Sequence, residues 1–438
     1  MSTTRPLTPR PRTPRSNTSG AISRLTAATS LAVALAVGAV SGCATAPASR
    51  PAKPVVLTAS QVAALRAYGR GDSAFGLEVL SALCRERPGS NEVISPVSLA
   101  TGLGMAYLGA RGSTAAAMAR VLHLPAAGQD LTAGLHARWA LLRSLDRPGV
   151  VFAASNRIWA DPSLPTRPSF AAALRAGYQA GLTRVPLLSQ PDQARRTINA
   201  AVAAQTRGHI DDLLPPGSLG QVGWVLTDAL YLDARWAQPF NRAMSGPGSF
   251  ATTSGQVTAH YMNGGSFPVA KADGWTAAAL PYRGGRLRML ALLPPTAAPT
   301  STAGHGCPLP GLATLGALTA GLSARASHMA ISLPRVKLAT SASLRPVLSA
   351  LGMGIAFSQQ ADFSGLSPKA CCIGFVRHAA TLDVAEKGTV ASAATAVGIA
   401  PSAEEIRLAF DRPYLLVLTD SLTGEPLMLA WVADPAVS

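Results

Sequence analysis

The sequence predicts an α+β fold for the larger part of this 438-residue chain. Residues 73–83 carry apolar side chains at helical spacing, and a second helix opens at Ser95 and Pro96. Near the C-terminus, apolar segments at 415–420 and 426–432 flank a turn, which is typical of a buried β-hairpin. An apolar content of 48% is ample for a sizeable core, so about 380 residues are expected to form one unit.

The first helices are predicted from apolar spacing and from their N-terminal residues. Within 73–83 the apolar positions are Phe75, Leu77, Val79, Leu80 and Leu83. Pro96 directly after a serine is a favourable helix start, and this second helix is expected to reach Ala110. Residues 111–114 are expected to cap a third helix that continues to Leu122.

A run of small residues from 386 to 397 has an unusual composition. After Gly388 it contains only Thr, Ser, Ala and Val. Propensity leaves helix and strand open for such a run, and an Ala-rich helix or a linker is the simplest alternative. In an extended strand, alternate positions would share one face, with side chains small enough to bury. These positions are Thr389, Ala391, Ala393, Thr395 and Val397.

Two motifs near the C-terminus occur together and carry a family resemblance. Glu386-Lys387-Gly388-Thr389 opens the small-residue run, and Phe410-Asp411-Arg412-Pro413-Tyr414 leads into the hairpin. With this composition and spacing, the chain resembles the serpin family from about residue 60 onward. The resemblance implies the serpin fold: a large, mostly antiparallel main β-sheet, further sheets, about eight or nine helices and an exposed reactive-centre loop at about 386–409.

The resemblance also assigns other elements and the hinge of the loop. Strands are implied near residues 154–159, 226–236, 280–294 and 333–338, and a helix with a following turn near 198–210. The hinge residues implied by the family motif are Glu386, Gly388, Thr389, Ala391, Ala393 and Ala394.

Separated polar residues are implied to lie along the path that the loop takes into the main sheet. Ser95, Ser98 and His378 fall on the polar cluster beneath the sheet (the shutter), and Trp236 falls on the breach, where the loop first enters. The family usually has Asn where this chain has Asp228. We expect Asp228 to accept a hydrogen bond from His378, or to pair with its imidazolium, and to make sheet opening pH-dependent. Taken alone, His378 and Trp236 would be ordinary buried residues.

Two counts locate the bond that a protease would cut. Fourteen residues after Gly388 and eight residues before Phe410 both give Ser402. The expected reactive bond is therefore Ser402–Ala403, with Ala403–Glu404 as the next candidate. Small side chains at this point suit an elastase-like or subtilisin-like pocket.

The resemblance implies an inhibitor and not an enzyme. A serpin has no catalytic residues; it is cleaved as a suicide substrate and traps serine endopeptidases, with cysteine endopeptidases as a second target class. No proline or charge interrupts the run between Gly388 and Ala400, so the hinge is expected to be functional. The alternatives are a non-inhibitory serpin-fold envelope lipoprotein with a binding or structural role, and an enzyme with an unrecognised site.

The N-terminus predicts an export signal. Residues 1–42 contain five Arg and no acidic residue, followed within the same segment by an apolar run at about 25–40. This run is short of the ~20 residues that a bilayer span needs, so a signal peptide is expected.

The end of this leader, Val40-Ser41-Gly42-Cys43, resembles a bacterial lipobox. Cleavage before Cys43 would make this cysteine the lipid-bearing N-terminus, attached to the membrane at the extracellular face of the cell envelope. A Pro/Ala-rich tether over 43–56 would then lead into a single domain over 57–438. The alternatives are an ordinary secretory signal, which would leave the protein secreted, and an uncleaved anchor.

Charge and motifs limit the other partners. The formal net charge of +16 falls to +11 when the five leader arginines are removed. No basic run is interleaved with aromatic residues, so nucleic acid is not an expected partner. No zinc-type Cys or His spacing and no nucleotide-binding motif occurs, so neither a metal nor a cofactor is expected. We expect a monomer.

Four cysteines remain besides Cys43: Cys84, Cys307, Cys371 and Cys372. An exported protein can form disulfides, and four cysteines allow three connectivities. The adjacent pair Cys371 and Cys372 is not expected to bond to itself.

Overall fold

The computed structural model describes residues 57–124, 131–206, 208, 210–220, 222–296, 306–323, 325–389 and 407–437, apart from the side chains of 131, 154, 155, 228 and 229. All of them belong to one unit, Pro51–Ser438. Several predictions fall outside these residues and stay predictions. They concern the leader 1–42, Cys43, the tether 43–56, the hinge positions Ala391, Ala393 and Ala394, and the reactive bond Ser402–Ala403.

Eight α-helices occur among the described residues. They are α1 (Ala59–Glu86), α2 (Pro96–Tyr107), α3 (Gly112–Val121), α4 (Leu131–Arg143), α5 (Pro168–Tyr178), α6 (Pro191–Gln205), α7 (Leu312–Gly321) and α8 (Arg345–Leu348). Short 3-10 turns lie at Arg242–Met244 and Gly354–Phe357, and a π-helical turn lies at Ser349–Met353.

Fifteen strands accompany these helices in the described part of the chain, which confirms the α+β class. They are β1 (Glu92–Ile94), β2 (Val150–Ala160), β3 (Gly181–Arg184), β4 (Trp224–Arg235), β5 (Gly246–Thr252), β6 (Gly255–Ala272), β7 (Trp275–Pro281), β8 (Leu287–Leu293), β9 (Ser327–Pro334), β10 (Val336–Ser343), β11 (Arg377–Ala385), β12 (Gly388–Thr389), β13 (Arg407–Ala409), β14 (Tyr414–Asp420) and β15 (Pro426–Val432).

The helix starts follow local capping. At α1, Thr58 Oγ1 accepts from the Gln61 N–H at 3.2 Å while Gln61 Oε1 accepts from the Thr58 N–H at 2.9 Å, a capping box. At α2, Ser95 is the N-cap and accepts from the Ser98 N–H, as the sequence predicts. The predicted cap of α3 is wrong, because its N-cap makes no side-chain bond and Thr114 instead accepts from the Asp362 N–H at 2.9 Å.

Two helix boundaries differ from the prediction. The first helix starts fourteen residues before 73, at Ala59. The second helix ends at Tyr107 and not at Ala110. A turn follows it, and an added Cβ at Gly109 would lie 2.8 Å from Leu366 Cβ, so close packing there favours the early end.

The first sheet has six strands in the order β10-β11-β12-β4-β2-β3. Its neighbours are antiparallel except for the parallel edge pair β2 and β3. The long strands β2 and β4 pair over their whole length, from Val150 opposite Ala234 to Ala160 opposite Trp224. This is the large, mostly antiparallel sheet that the family resemblance implies.

The second sheet has nine strands, eight in the order β1-β15-β14-β8-β7-β6-β9-β13, with β5 paired to β6. The C-terminal hairpin lies within it, because β14 pairs antiparallel with β15 and with β8. Both hairpin strands are buried along their whole length. The predicted buried hairpin is therefore confirmed.

Alternate side chains of the second sheet enter two different cores. Met289, Ala291 and Leu293 of β8 pack in a core shared with the first sheet. Leu290 and Leu292 face the opposite way, into a core with the first helices. Successive side chains of a strand point to opposite faces, so one face of the second sheet packs on the first sheet and the other face packs on the helices.

Cys84 and Cys307 form a disulfide with their Cα atoms 5.5 Å apart, inside the core of the helices. Cys371 and Cys372 are free thiols. This resolves the connectivity that the sequence leaves open, and the adjacent pair is unbonded, as expected.

Candidate functional site

The hinge of the small-residue run is a short strand at the centre of the first sheet. This hinge strand, β12, holds Gly388 opposite Ala385 in β11 and Arg235 in β4, both antiparallel. Thr389 follows in the same register, opposite Val384 of β11. The chain therefore leaves β11, reverses direction and starts a new strand between β11 and β4.

Only glycine fits at position 388. Its φ is +149°, a conformation that residues with a side chain rarely adopt. A Cβ added there would lie 2.0 Å from the carbonyl oxygen of Ala234 and 2.8 Å from Cα of Arg235. The hinge strand can approach β4 because this residue has no side chain.

Thr389 is the first side chain that the hinge strand buries, with 2% of its surface exposed. Its hydroxyl lies 2.5 Å from the hydroxyl of Tyr282, within hydrogen-bond distance. Burial raises the pKa of Tyr282 well above its usual value, so the phenol stays protonated and can donate. The pair satisfies two buried hydroxyls at the point where the strand begins.

Trp236 binds the turn before the hinge strand through its backbone and through its side chain. Its backbone N–H donates to the Lys387 carbonyl at 2.9 Å, and its indole N–H donates to the Ala385 carbonyl at 2.8 Å. The indole also stacks on the Tyr282 ring, with centroids 4.3 Å apart. Trp236 therefore fixes the turn and the tyrosine that binds Thr389.

Glu386 occupies the turn as a buried carboxylate, with its side chain 2% exposed. Arg335 donates to it through Nε at 2.7 Å and also through Nη2. Burial alone would raise the pKa of Glu386, but hydrogen bonds, chiefly from Arg335, outweigh burial and hold the pKa below its usual value. The Glu386 carbonyl accepts from the Phe240 N–H at 2.9 Å, so the turn is fixed at backbone and side chain alike.

A cavity of about 520 Å³ extends beyond the hinge strand, between the start of β4 and the segment that leads into β11. We call the space between β4 and β11 the seam. The cavity walls are residues 224–227 on one side and 373–378 on the other, with α2 beneath. Within the described residues, β11 and β4 are joined through β12 and not by a ladder of their own. The first sheet therefore has a gap between β11 and β4, and the hinge strand occupies one end of it.

His378 and Ser95 lie beside the seam and bind each other. The Ser95 N–H donates to His378 Nε2 at 3.1 Å, so the imidazole proton is on Nδ1. Ser95 Oγ donates to the Leu427 carbonyl at 2.8 Å and accepts from the Ser98 N–H at 3.3 Å. Burial lowers the pKa of His378 to about 4, which keeps the ring neutral at neutral pH. This group links α2, β11 and the C-terminal hairpin.

The backbone of Asp228 lies in β4, opposite Asn156 of β2. Its side chain is outside the described part of the structure. The expected contact between Asp228 and His378 therefore stays a prediction. The proton on His378 Nδ1 is the one that a carboxylate would accept.

Two residues that contact the hinge were not identified as site residues from the sequence. Tyr282 and Arg335 lie 107 and 51 residues from their partners Thr389 and Glu386. Tyr282 follows Leu280-Pro281 and Arg335 follows Leu333-Pro334, and both sequences predict only the end of a strand. No local pattern could have paired them with the hinge.

Among the described residues, no group of three or more His, Cys, Asp or Glu side chains could hold a metal ion. Over the same ranges, no helix is both long and apolar enough to cross a bilayer.

Comparison with known proteins places these features in a family. The family described as serpin (serine protease inhibitor) matches residues 70–435. An uncharacterized serpin-like protein of Thermococcus kodakarensis is 32% identical over 363 residues, covering 81% of this chain and 83% of that protein. The leukocyte elastase inhibitor of Bos taurus is 31% identical over 370 residues, covering 82% of this chain and 97% of its own.

The fold agrees with solved structures as well. The crystal structure of human thyroxine-binding globulin, complexed with thyroxine, superposes with a TM-score of 0.74 at 22% identity. The superposition covers 85% of this chain and 99% of that one. The serpin fold implied by the sequence is confirmed, and the chain belongs to the serpin family.

Proposed function

We propose that this protein is a suicide-substrate inhibitor of serine endopeptidases, with cysteine endopeptidases as a second target class. The observation that carries the proposal is the hinge strand, which enters the first sheet between β11 and β4 in line with the cavity of the seam. Relatives named as protease inhibitors, such as the bovine leukocyte elastase inhibitor, support it.

The chemistry belongs to the target protease. Its nucleophile attacks the carbonyl of Ser402, the amine of Ala403 leaves, and Ser402 stays attached to the protease as an acyl-enzyme. Small side chains at this bond fit an elastase-like or subtilisin-like specificity pocket. In this mechanism the inhibitor supplies no catalytic group and acts only as a substrate.

The inhibitor's own part begins at the hinge strand. Once the loop is cut, the chain after Thr389 is released at one end and extends β12 along the seam, pairing with β4 and β11. The positions that face inward with Thr389 are Ala391, Ala393, Thr395 and Val397, which are small enough to bury. Fourteen residues in extended conformation reach ~45 Å, so the attached protease is carried far from its docking position.

Insertion depends on the side chain that enters first. Thr389 already lies in the sheet, with its hydroxyl bound to Tyr282. A charged side chain at this position would have to be desolvated, at a cost of several kcal/mol. Without cleavage, insertion of the loop is slow. The native state persists because of this slow rate, so its stability is kinetic.

A mixture of the purified protein with elastase or subtilisin, run on a denaturing gel, tests the proposal. We expect a band at the sum of the two masses and, by mass spectrometry, a cut after Ser402. Thr389→Arg should give cleavage without the covalent band, while Thr389→Ser, its matched control, should keep the band. Cleavage of the parent without any adduct would instead favour a non-inhibitory binding or structural role.

Attachment to the membrane is a separate proposal. We propose that Cys43 is lipidated after removal of residues 1–42, which places the domain on the outer face of the envelope. Labelling with a fatty-acid analogue should mark the parent, and Cys43→Ser should remove the label. An unlabelled parent in the culture medium would show an ordinary secretory signal instead.

A further inference from the structure

Two free thiols lie at the far end of the seam. Cys371 and Cys372 have their Sγ atoms 2.9 Å apart, and both line the 520 Å³ cavity. Cys371 is exposed and Cys372 is half-buried. They occupy an irregular segment before β11 that is fixed on its C-terminal side, where the Ile373 N–H donates to the Ala356 carbonyl at 2.9 Å. The pair is therefore held in place and open to small reagents.

The other two cysteines show that this pair is different. Cys84 and Cys307 are joined and buried, with 1% and 8% of their surfaces exposed. A small disulfide in solution can reach Cys371 without reaching that bond. The exposed thiol is thus the accessible redox group among the described cysteines.

The local environment assigns different roles to the two thiols. Burial, together with the neighbouring Cys371, raises the pKa of Cys372 to about 11, so Cys372 keeps its proton at neutral pH. The sulfur of Cys371 is the exposed one of the pair, and it lies 3.1 Å from Gln359 Oε1 and 2.9 Å from the Cys372 sulfur. Cys371 is therefore the thiol that a small disulfide can reach, and it attacks as the thiolate.

The register between the hinge strand and β11 directs the loop towards the cavity that the thiols line. Thr389 lies opposite Val384 in β11, and the pairing is antiparallel, so each further loop residue passes one residue of β11. Continued in this register along β11, residue 395 falls opposite His378 and residue 396 opposite Arg377, the first residue of β11. The loop residues that follow would enter the part of the seam occupied by the cavity, which both thiols line. Under the proposed function, residue 402 carries the acyl link to the protease. The thiols therefore lie where the last inserted residues have to fit.

We propose that Cys371 is a modification site for small disulfides, and that a mixed disulfide there obstructs the last part of loop insertion. This inference rests on the proposed inhibitory function. The Cys371 thiolate attacks one sulfur of the small disulfide, whose S–S bond breaks. One thiolate leaves and takes a proton from water, and the other half stays bound to Cys371. The protein thiol is oxidised and the small disulfide is reduced, so electrons balance.

Ring closure between the two cysteines is not the expected product. Adjacent Cα atoms across a trans peptide are about 3.8 Å apart, whereas disulfides usually join Cα atoms about 4.4–6.8 Å apart. Closing the ring would require the fixed segment to move. The adduct on Cys371 should therefore persist and fill part of the cavity.

Oxidised glutathione is the probe for the test. Intact mass and peptide mapping should show one glutathione on Cys371 of the native protein, one on Cys371 of Cys372→Ser, and none on Cys371→Ser. The modified parent, mixed with elastase or subtilisin, should form the covalent adduct about tenfold more slowly, since extra atoms in a filled space oppose insertion. Modified protein should then be cut and released as a substrate.

Two readouts separate the possible failures. No protease adduct with the reduced parent would remove the proposed function, whatever the thiols do. A normal adduct with the reduced parent, but equal rates before and after glutathione addition, would overturn this inference alone. Loss of two hydrogens without added glutathione would also overturn it, because it would show ring closure. Treated Cys371→Ser should inhibit like the untreated parent, which excludes effects of glutathione elsewhere.

Discussion

The hydroxyl groups of Tyr282 and Thr389 lie 2.5 Å apart, and this bond ties the start of the hinge strand to the second sheet. Tyr282 stands next to β7 and is completely buried. Its ring is also stacked on Trp236, which binds the turn before the strand. The first side chain that the hinge strand buries is therefore held by a tyrosine that the stacking on Trp236 also fixes.

Tyr282→Phe removes this hydroxyl and leaves Thr389 with a buried oxygen that has lost its partner. We expect a loss of about 1–3 kcal/mol in the free energy of unfolding, the usual cost of an unsatisfied buried group. We also expect a larger fraction of cleaved inhibitor without adduct, because the strand start is less well held. Thermal unfolding and the gel assay measure the two effects.

Tyr261→Phe is the matched control for this variant. The Tyr261 hydroxyl donates to the Ser249 carbonyl at 2.9 Å, between β6 and β5 of the second sheet, and makes no bond to Thr389. This change should lower stability and leave the adduct fraction unchanged. If both variants altered the adduct fraction equally, the bond to Thr389 would have no special part in insertion.

Gly388→Ala should displace the hinge strand from the sheet. The new Cβ would lie 2.0 Å from the Ala234 carbonyl oxygen, and the backbone at φ +149° disfavours a side chain. We expect almost complete conversion from inhibitor to substrate, seen as cleavage without adduct. Gly316→Ala is the control, since no atom lies within 4 Å of its added Cβ. An unchanged adduct yield in Gly388→Ala would show that β12 need not form before cleavage.

Much of the fold was predictable because it depends on local patterns. The Ser95 cap with Pro96 marks a helix start through neighbouring atoms, and the C-terminal hairpin has two continuous apolar strands around a turn. The start of α1 was missed, because residues 59–72 contain Gly69, Gly71 and the acidic Asp72. In the structure an added Cβ at Gly69 would lie 2.9 Å from the Thr423 carbonyl oxygen, so the glycine allows a close approach.

The partners of buried charged residues could not be predicted, for a different reason. Asp72 is buried beside Arg138, which lies 66 residues along the chain and donates both to Asp72 and, at 2.5 Å, to Glu425. Likewise, the bond between Arg335 and Glu386 exists only once β10 and β11 are paired. Local sequence shows which groups are polar, but only the sheet register shows which of them meet.

Arg335→Gln should weaken the turn before the hinge strand. It removes the cation from the Glu386 carboxylate, whose side chain is 2% exposed, and we expect a loss of about 2 kcal/mol. Thermal unfolding of Arg335→Gln, Glu386→Gln and the double variant forms a cycle that gives the coupling energy. Strictly additive losses would show that the two side chains do not stabilise each other.

The same pair predicts a pH effect at the acidic end. The pKa of Glu386 is held below its usual value in the folded state, so the unfolded state binds its proton first as the pH falls. The stabilisation is complete above the usual pKa and is lost as the pH falls through the lowered one. The parent should lose this stability in acid, while Glu386→Gln should show a smaller dependence over the same range.

His378 predicts a second pH window, at higher pH. Its folded pKa is about 4, against an ordinary value of 6.5, because burial opposes the charged ring. Between these values the unfolded state binds more protons, so stability rises with pH and is lost as the pH falls from about 6.5 to about 4. At pH 5 the loss relative to pH 8 should be about 2 kcal/mol. Thermal unfolding across this range measures it, with His328→Gln, an exposed histidine, as the control variant.

Asp228→Asn tests whether the Asp228 carboxylate in β4 changes the pH dependence of stability that His378 causes. If the Asp228 carboxylate accepts the Nδ1 proton of His378, it stabilises the imidazolium and reduces the loss of stability at low pH. The parent should then be more stable than Asp228→Asn at pH 5, with a smaller difference at pH 8. Coincident unfolding curves of the two proteins from pH 5 to 8 would show that the Asp228 carboxylate does not bind His378. Burial of His378 would then be the cause of the pH dependence.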